Sequence, residues 1–116
     1  MGLMSENKNI YFCTMNKIVE DKIKELTELC IKYSVDNLYV FGSVNSAHFN
    51  AKSDIDILIS FNKEIGIDEY SENYFLLHAQ LKNLFNRDID LLTDNSLSNP
   101  YFIKAIEQTK QLVYAA

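Results

Sequence analysis

Basic charge is scarce in this chain. Eleven lysines and arginines face 16 aspartates and glutamates, a formal net charge of −5. Proteins hold a phosphate backbone mainly through such cations, so direct nucleic-acid binding is not expected. Cysteine is scarcer still. Cys13 and Cys30 stand at neither metal-ligand nor redox spacing, and both read as reduced thiols of a cytoplasmic protein. No apolar run approaches the ~20 residues that a membrane-spanning helix needs. No stretch has the basic, apolar, small order of a secretory signal. Internal repeats, linkers and low-complexity segments are also missing.

What remains is a single domain. The 116 residues are 47% apolar and 23% charged, enough to build one hydrophobic core without staples. Residues 1–14 show no period and read as a loose, disordered tail, with the domain over 15–116. From Asn16 to Tyr33 the residues Val19, Ile23, Leu26, Cys30 and Tyr33 recur at helical spacing. Lysines and acids cover its other face, as on a solvated helix. Leu38–Phe41 is a short strand halted by Gly42, and Ile55–Phe61 is a second strand. Asp68 is positioned to cap a helix lined by Tyr70, Tyr74, Leu77, Leu81 and Leu84. Asp88–Leu92 is a third strand. Asn99-Pro100 opens a last helix lined by Ile103, Ile106 and Val113. This order predicts a small α/β fold with a mixed sheet of three or more strands.

One segment conflicts with its surroundings. Asp54 and Asp56 stand in the first half of the most apolar run in the chain. A buried, uncompensated carboxylate costs several kcal/mol. Alternation along a strand resolves part of the conflict, because both acids point to one face while Ile55 and Ile57 point to the other. The two like charges still need a cation, and oxygen-only ligands favour Mg²⁺, Mn²⁺ or Ca²⁺. Asp88 and Asp90 repeat the device on the third strand. If the strands are neighbours, one of these acids joins the first pair, and three carboxylates can hold two hard cations ~3.5–4 Å apart. Upstream, Gly42 permits a tight turn and Ser43 can open a helix, which together would seat a phosphate.

Gly42-Ser43, ten residues, then Asp54-Ile55-Asp56 resembles the signature of the polymerase-β-like nucleotidyltransferase superfamily. Phe41 and Ser53 agree at the flanks. The third strand, "IDLLT", and the closing "SLSNPYFIKAI" and "LVY" are similar to the end of the minimal nucleotidyltransferases, the antitoxins of HEPN/MNT toxin–antitoxin pairs. The resemblance runs over residues 16–114, nearly the whole chain. It implies a polymerase-β-like palm, with two Mg²⁺ ions held by Asp54, Asp56 and Asp90 and with ATP as substrate. Gly42 and Ser43 would hold the β- and γ-phosphates, and Asp90, rather than Asp88, would be the third acid. It also implies a partner, a helical HEPN-type RNA-cutting toxin whose tyrosine receives AMP, and compatibility with a hetero- or homo-oligomer.

The chain departs from the family in one place. Many members follow Gly-Ser with two arginines and a glycine, whereas here Val44-Asn45-Ser46-Ala47 follows, with Lys52 the one cation of the link. This keeps open an inactive binding antitoxin that neutralises its partner by contact. A third reading, nucleotidylation of a small molecule, lacks an acceptor domain in this chain. The remaining polar and aromatic residues read as structural. Asp88 is an exposed strand-edge charge, His48 a loop residue and His78 a core-edge histidine. Tyr70, Tyr74 and Phe75 are packing.

Overall fold

A computed structural model describes residues 16–42, 50 and 52–116. The expected tail 1–14, Cys13, Ser43, the stretch 44–47 and His48 lie outside the described residues.

The predicted first helix is divided. Asn16 caps α1 (Lys17–Glu20) by accepting from Ile18 N at 2.8 Å. A turn at Asp21-Lys22 separates it from α2 (Ile23–Lys32). There Lys22 N donates three residues back, to Val19 O, which tightens the turn. The apolar face survives the break, with Val19, Leu26 and Cys30 fully buried. Ser34 then takes a left-handed φ of 61° and turns the chain into β1 (Val35–Phe41). That strand starts three residues before the predicted one, because Val35 is buried too and pairs with Phe61.

β2 (Ile55–Phe61) follows the undescribed link. The capping residue of α3 (Ile67–Phe85) is Gly66, not Asp68, which stands with Glu69 in the first turn, where acids favour the helix dipole. Asn86 ends the helix in the left-handed conformation. β3 (Ile89–Thr93) leaves Asp88 just outside the strand. Asn99 accepts from Tyr101 N and Phe102 N and so caps α4 (Pro100–Thr109), with Pro100 at its start.

The end of the chain corrects the sequence-based expectation. The last helix stops at Thr109, and Val113 belongs to a fourth strand, β4 (Gln111–Ala115). Leu112, Val113 and Tyr114 favour extended backbone, and β1 offers them an unpaired edge. The sheet order is β3-β2-β1-β4, with β2 and β3 parallel and the other pairs antiparallel. No helix among the described residues is long and apolar enough to cross a membrane.

The two faces of the sheet have different covers. Ile55, Ile57, Ile59, Leu38, Val40, Ile89 and Leu91 meet α2 and α3 in the main core. Phe41, Leu58 and Ile106 form a smaller core beneath α4, with Tyr39, Leu92 and Leu97 at its edge. Strand alternation puts Asp56 on the face of Leu58 and Asp90 on the face of Leu92. Both acids therefore lie on the α4 side. His78 is the core-edge residue expected: its Nε2 donates to Ile89 O at 2.8 Å, and its ring stacks on Tyr74.

Burial pushes the Cys30 thiol up from its ordinary 9.0 to about 12. The folded protein then keeps a proton that the unfolded chain releases. Stability should fall as pH rises from about 9 to about 12, and be unaffected by this group below that window. In a Cys13→Ser background, iodoacetamide should leave Cys30 unmodified in native protein at pH 8 and label it in denaturant. Mass spectrometry distinguishes the two states.

Candidate active site

The apolar strand accommodates its acids by presenting them at its open end. Asp54 stands one residue before β2 and is exposed, and Asp56 is half-buried, while Ile55 and Ile57 between and beyond them are wholly buried. The parallel ladder pairs Ile55 with Ile89, Asp56 with Asp90 and Ile57 with Leu91. On its other side Asp56 is opposite Phe41. The structure thus selects Asp90 as the acid beside Asp56. Asp88 lies off the strand, exposed, in an ion pair with Lys82 at 3.4 Å.

Gly42 follows Phe41 with φ +69°, a conformation that suits glycine. A Cβ there would lie 2.5 Å from Asp56 Oδ2. Only a residue without a side chain lets the end of β1 pass this close to the carboxylate. Gly42 N donates to Thr109 Oγ1 at 3.2 Å, and that hydroxyl donates to Ala105 O. The Gly42 amide, expected to meet a phosphate, is engaged by α4 here. The contribution of Gly42 visible in the structure is close approach.

Around Asp90 the surroundings are partly aromatic. Tyr74 donates its hydroxyl to Leu91 O at 2.7 Å. Burial first, then the Asp90 charge, then Tyr70, raise the Tyr74 phenol above its ordinary value. Asp54 borders a polar cleft of about 500 Å³ that Lys52, Lys82, Arg87 and Asp88 also line. Among the described residues, no three metal-binding side chains converge into a ready cage.

Sequence reasoning missed two residues. Thr109 carries no local signal, because its role depends on the return of α4 to the end of β1. Arg87 did carry one, as the only arginine in the chain. Its Nη1 donates to Asn50 O at 3.1 Å and to Ser53 O at 3.0 Å, just ahead of Asp54.

Comparison with known proteins shows the family and the fold. The family described as "Polymerase beta, Nucleotidyltransferase" matches residues 24–116. A Methanocaldococcus jannaschii protein named "Putative protein adenylyltransferase MJ0126" is 37% identical over 101 residues, 87% of this chain and 97% of its own length. A second protein of that organism with the same activity in its name is 36% identical over the same shares. Among solved structures, one described as a "putative minimal nucleotidyltransferase" superposes with a TM-score of 0.64, at 18% identity, over 84% of this chain and 94% of its own. A complex of tri-AMPylated Shewanella oneidensis HEPN toxin with its MNT antitoxin gives 0.57, at 18% identity, over 84% and 72%. A toxin–antitoxin crystal structure with AMP-PNP gives 0.62, at 19%, over 81% and 73%. At such identities these structures bear on the fold alone.

Gly42→Ala should destabilise the protein by about 1–2 kcal/mol from the left-handed backbone, with a further loss from the displaced Asp56. Gly66→Ala, whose Cβ would meet nothing within 4 Å but which replaces the cap of α3, is the comparison and should cost less, up to about 1 kcal/mol. Urea denaturation of both variants checks this.

Proposed function

This chain belongs to the polymerase beta nucleotidyltransferase family, and from that premise we propose that it is a Mg²⁺-dependent protein adenylyltransferase. It moves AMP from ATP to a hydroxyl, read as a tyrosine, on a HEPN-type helical partner for which it serves as antitoxin. The observation that carries this reading is the register of β2 on β3, which seats Asp90 beside Asp56 on the face of the sheet that Gly42 borders. Relatives covering nearly their whole length with this chain bear the adenylyltransferase name, which supports the choice of nucleotide and of a protein acceptor.

The donor set fits a hard cation. Asp54, Asp56 and Asp90 offer carboxylate oxygens only, and Mg²⁺ in phosphate-handling sites is held through one or two carboxylates, with waters and substrate phosphates completing its shell. Asp54 and Asp56 are the residues that would hold Mg²⁺, whose chemistry at this place is neutralisation of triphosphate charge. Ser43 would orient the terminal phosphates. Asp90 would stand on the acceptor side and take the proton of the attacking hydroxyl. A bond forms between the acceptor oxygen and the α-phosphorus, the α–β phosphoanhydride breaks, and pyrophosphate leaves. Positioning and charge neutralisation supply most of the rate enhancement.

A second reading rests on the stretch that lacks the family's arginines, Val44-Asn45-Ser46-Ala47. On that reading the protein neutralises its partner by binding alone, with the acids as remnants.

Purified protein, Mg²⁺, α-phosphate-labelled ATP and a HEPN-type partner should yield labelled partner. Asp54→Asn/Asp56→Asn should lower the rate by about a thousandfold or more. Its folding should be intact, because Asp54 is exposed and Asp56 only half-buried. A stable but unlabelled complex, equal for both proteins, would establish the binding antitoxin instead.

A further inference from the structure

The strand entry that carries Asp54 is held from outside its own strand. Asn50, Lys52 and Ser53 are joined by their own bonds: Ser53 N donates to Asn50 O at 3.1 Å, and Lys52 N donates to Asn50 Oδ1 at 2.8 Å. Asn50 N donates to Ser53 Oγ at 3.1 Å. The turn gathers the carbonyls of Asn50 and Ser53, and the Arg87 guanidinium accepts the task of joining them, donating to both from Nη1. One residue past Asp54, Ile55 N donates to Asp88 O at 3.1 Å. Ser53 and Ile55, the two neighbours of Asp54, are therefore tied to Arg87 and Asp88, the two residues that lead into β3. Asp90 follows three residues after Arg87.

We propose that Arg87 is a positioning residue for the Asp54 carboxylate, fixing it relative to Asp90 by clamping the entry of β2 to the entry of β3. The inference rests on the adenylyltransferase reading and names the element that aligns its acids. The physical case is geometric. Two carbonyl oxygens turned toward one point repel each other, and a planar, always-charged donor relieves both at once. Both bonds leave one nitrogen, Nη1, whose two N–H directions are fixed in the guanidinium plane, whereas a lysine ammonium sits on a flexible stem and rotates freely. The only arginine of the chain is spent here, in the cleft that Asp54 lines, and not in the segment after Ser43. Residues that orient metal-binding groups from behind typically change metal affinity or activity by ~10–100-fold when removed.

The test uses the full chain with Arg87→Met and Arg87→Lys. Mn²⁺ binding is followed by electron paramagnetic resonance in the presence of a non-hydrolysable ATP analogue, beside label transfer to the partner and urea denaturation. Arg87→Met should bind Mn²⁺ ~10–100-fold more weakly and lose turnover by a similar factor, with the KM for the acceptor unchanged and turnover partly restored by excess Mg²⁺. Arg87→Lys should regain stability without regaining Mn²⁺ affinity. Wild-type Mn²⁺ affinity and turnover in a folded Arg87→Met would overturn the proposal. Should that variant fail to fold, the same result in Arg87→Lys would overturn it. Wild-type protein that binds Mn²⁺ but transfers no label would sink the adenylyltransferase reading, and the Mn²⁺ titrations would then decide Arg87 by themselves. Wild-type protein that binds no Mn²⁺ would sink both.

Discussion

The parallel pairing of β2 with β3 is the constraint on which the site depends. It sets Asp56 directly beside Asp90, although like charges opposite one another weaken a sheet. The register is imposed from further along the strands. Ile55, Ile57, Ile59, Ile89 and Leu91 all enter the main core, and a slip of one residue would turn that whole set toward the other face. The acids are carried into proximity by the apolar residues between them. They are tolerated because they occur where the strands begin, with Asp90 exposed and Asp56 half-buried.

The rest of the structure closes around that pairing. β1 ends at Gly42, whose missing side chain leaves room for the Asp56 carboxylate. Thr109, at the end of α4, accepts from the Gly42 amide and so ties the second, smaller core to the same point. β4 then pairs along β1, making β1 an interior strand. Elements distant in sequence thus converge on a few atoms.

The balance between catalysis and simple binding turns on cation supply. A triphosphate brings several negative charges, and the family's usual arginines after Gly-Ser would meet them. In this chain those positions are uncharged, and its one guanidinium lies behind Asp54, bonded to backbone carbonyls. On the proposed adenylyltransferase reading, charge neutralisation would then rest chiefly on a cation brought to the acids.

Several features were legible before the fold was known, because they are properties of one segment. The helical spacing of Val19, Leu26 and Cys30 and of Leu77 and Leu81 predicted faces that are buried. The common direction of Asp54 and Asp56 follows from strand alternation alone. The Asn99-Pro100 start of the last helix follows from capping chemistry. The sequence motif also pointed to Asp90, but only through resemblance, since residue spacing left Asp88 equally eligible. Tertiary structure decided what depends on partners far along the chain: the register that sets Asp90 beside Asp56, the fourth strand in place of helix around Val113, the approach of Gly42 to Asp56, the Thr109 bond across 67 residues and the Arg87 bond to Ser53 across 34. Local periodicity is written in neighbouring side chains, whereas register and clamps exist only once the core has brought separate strands together.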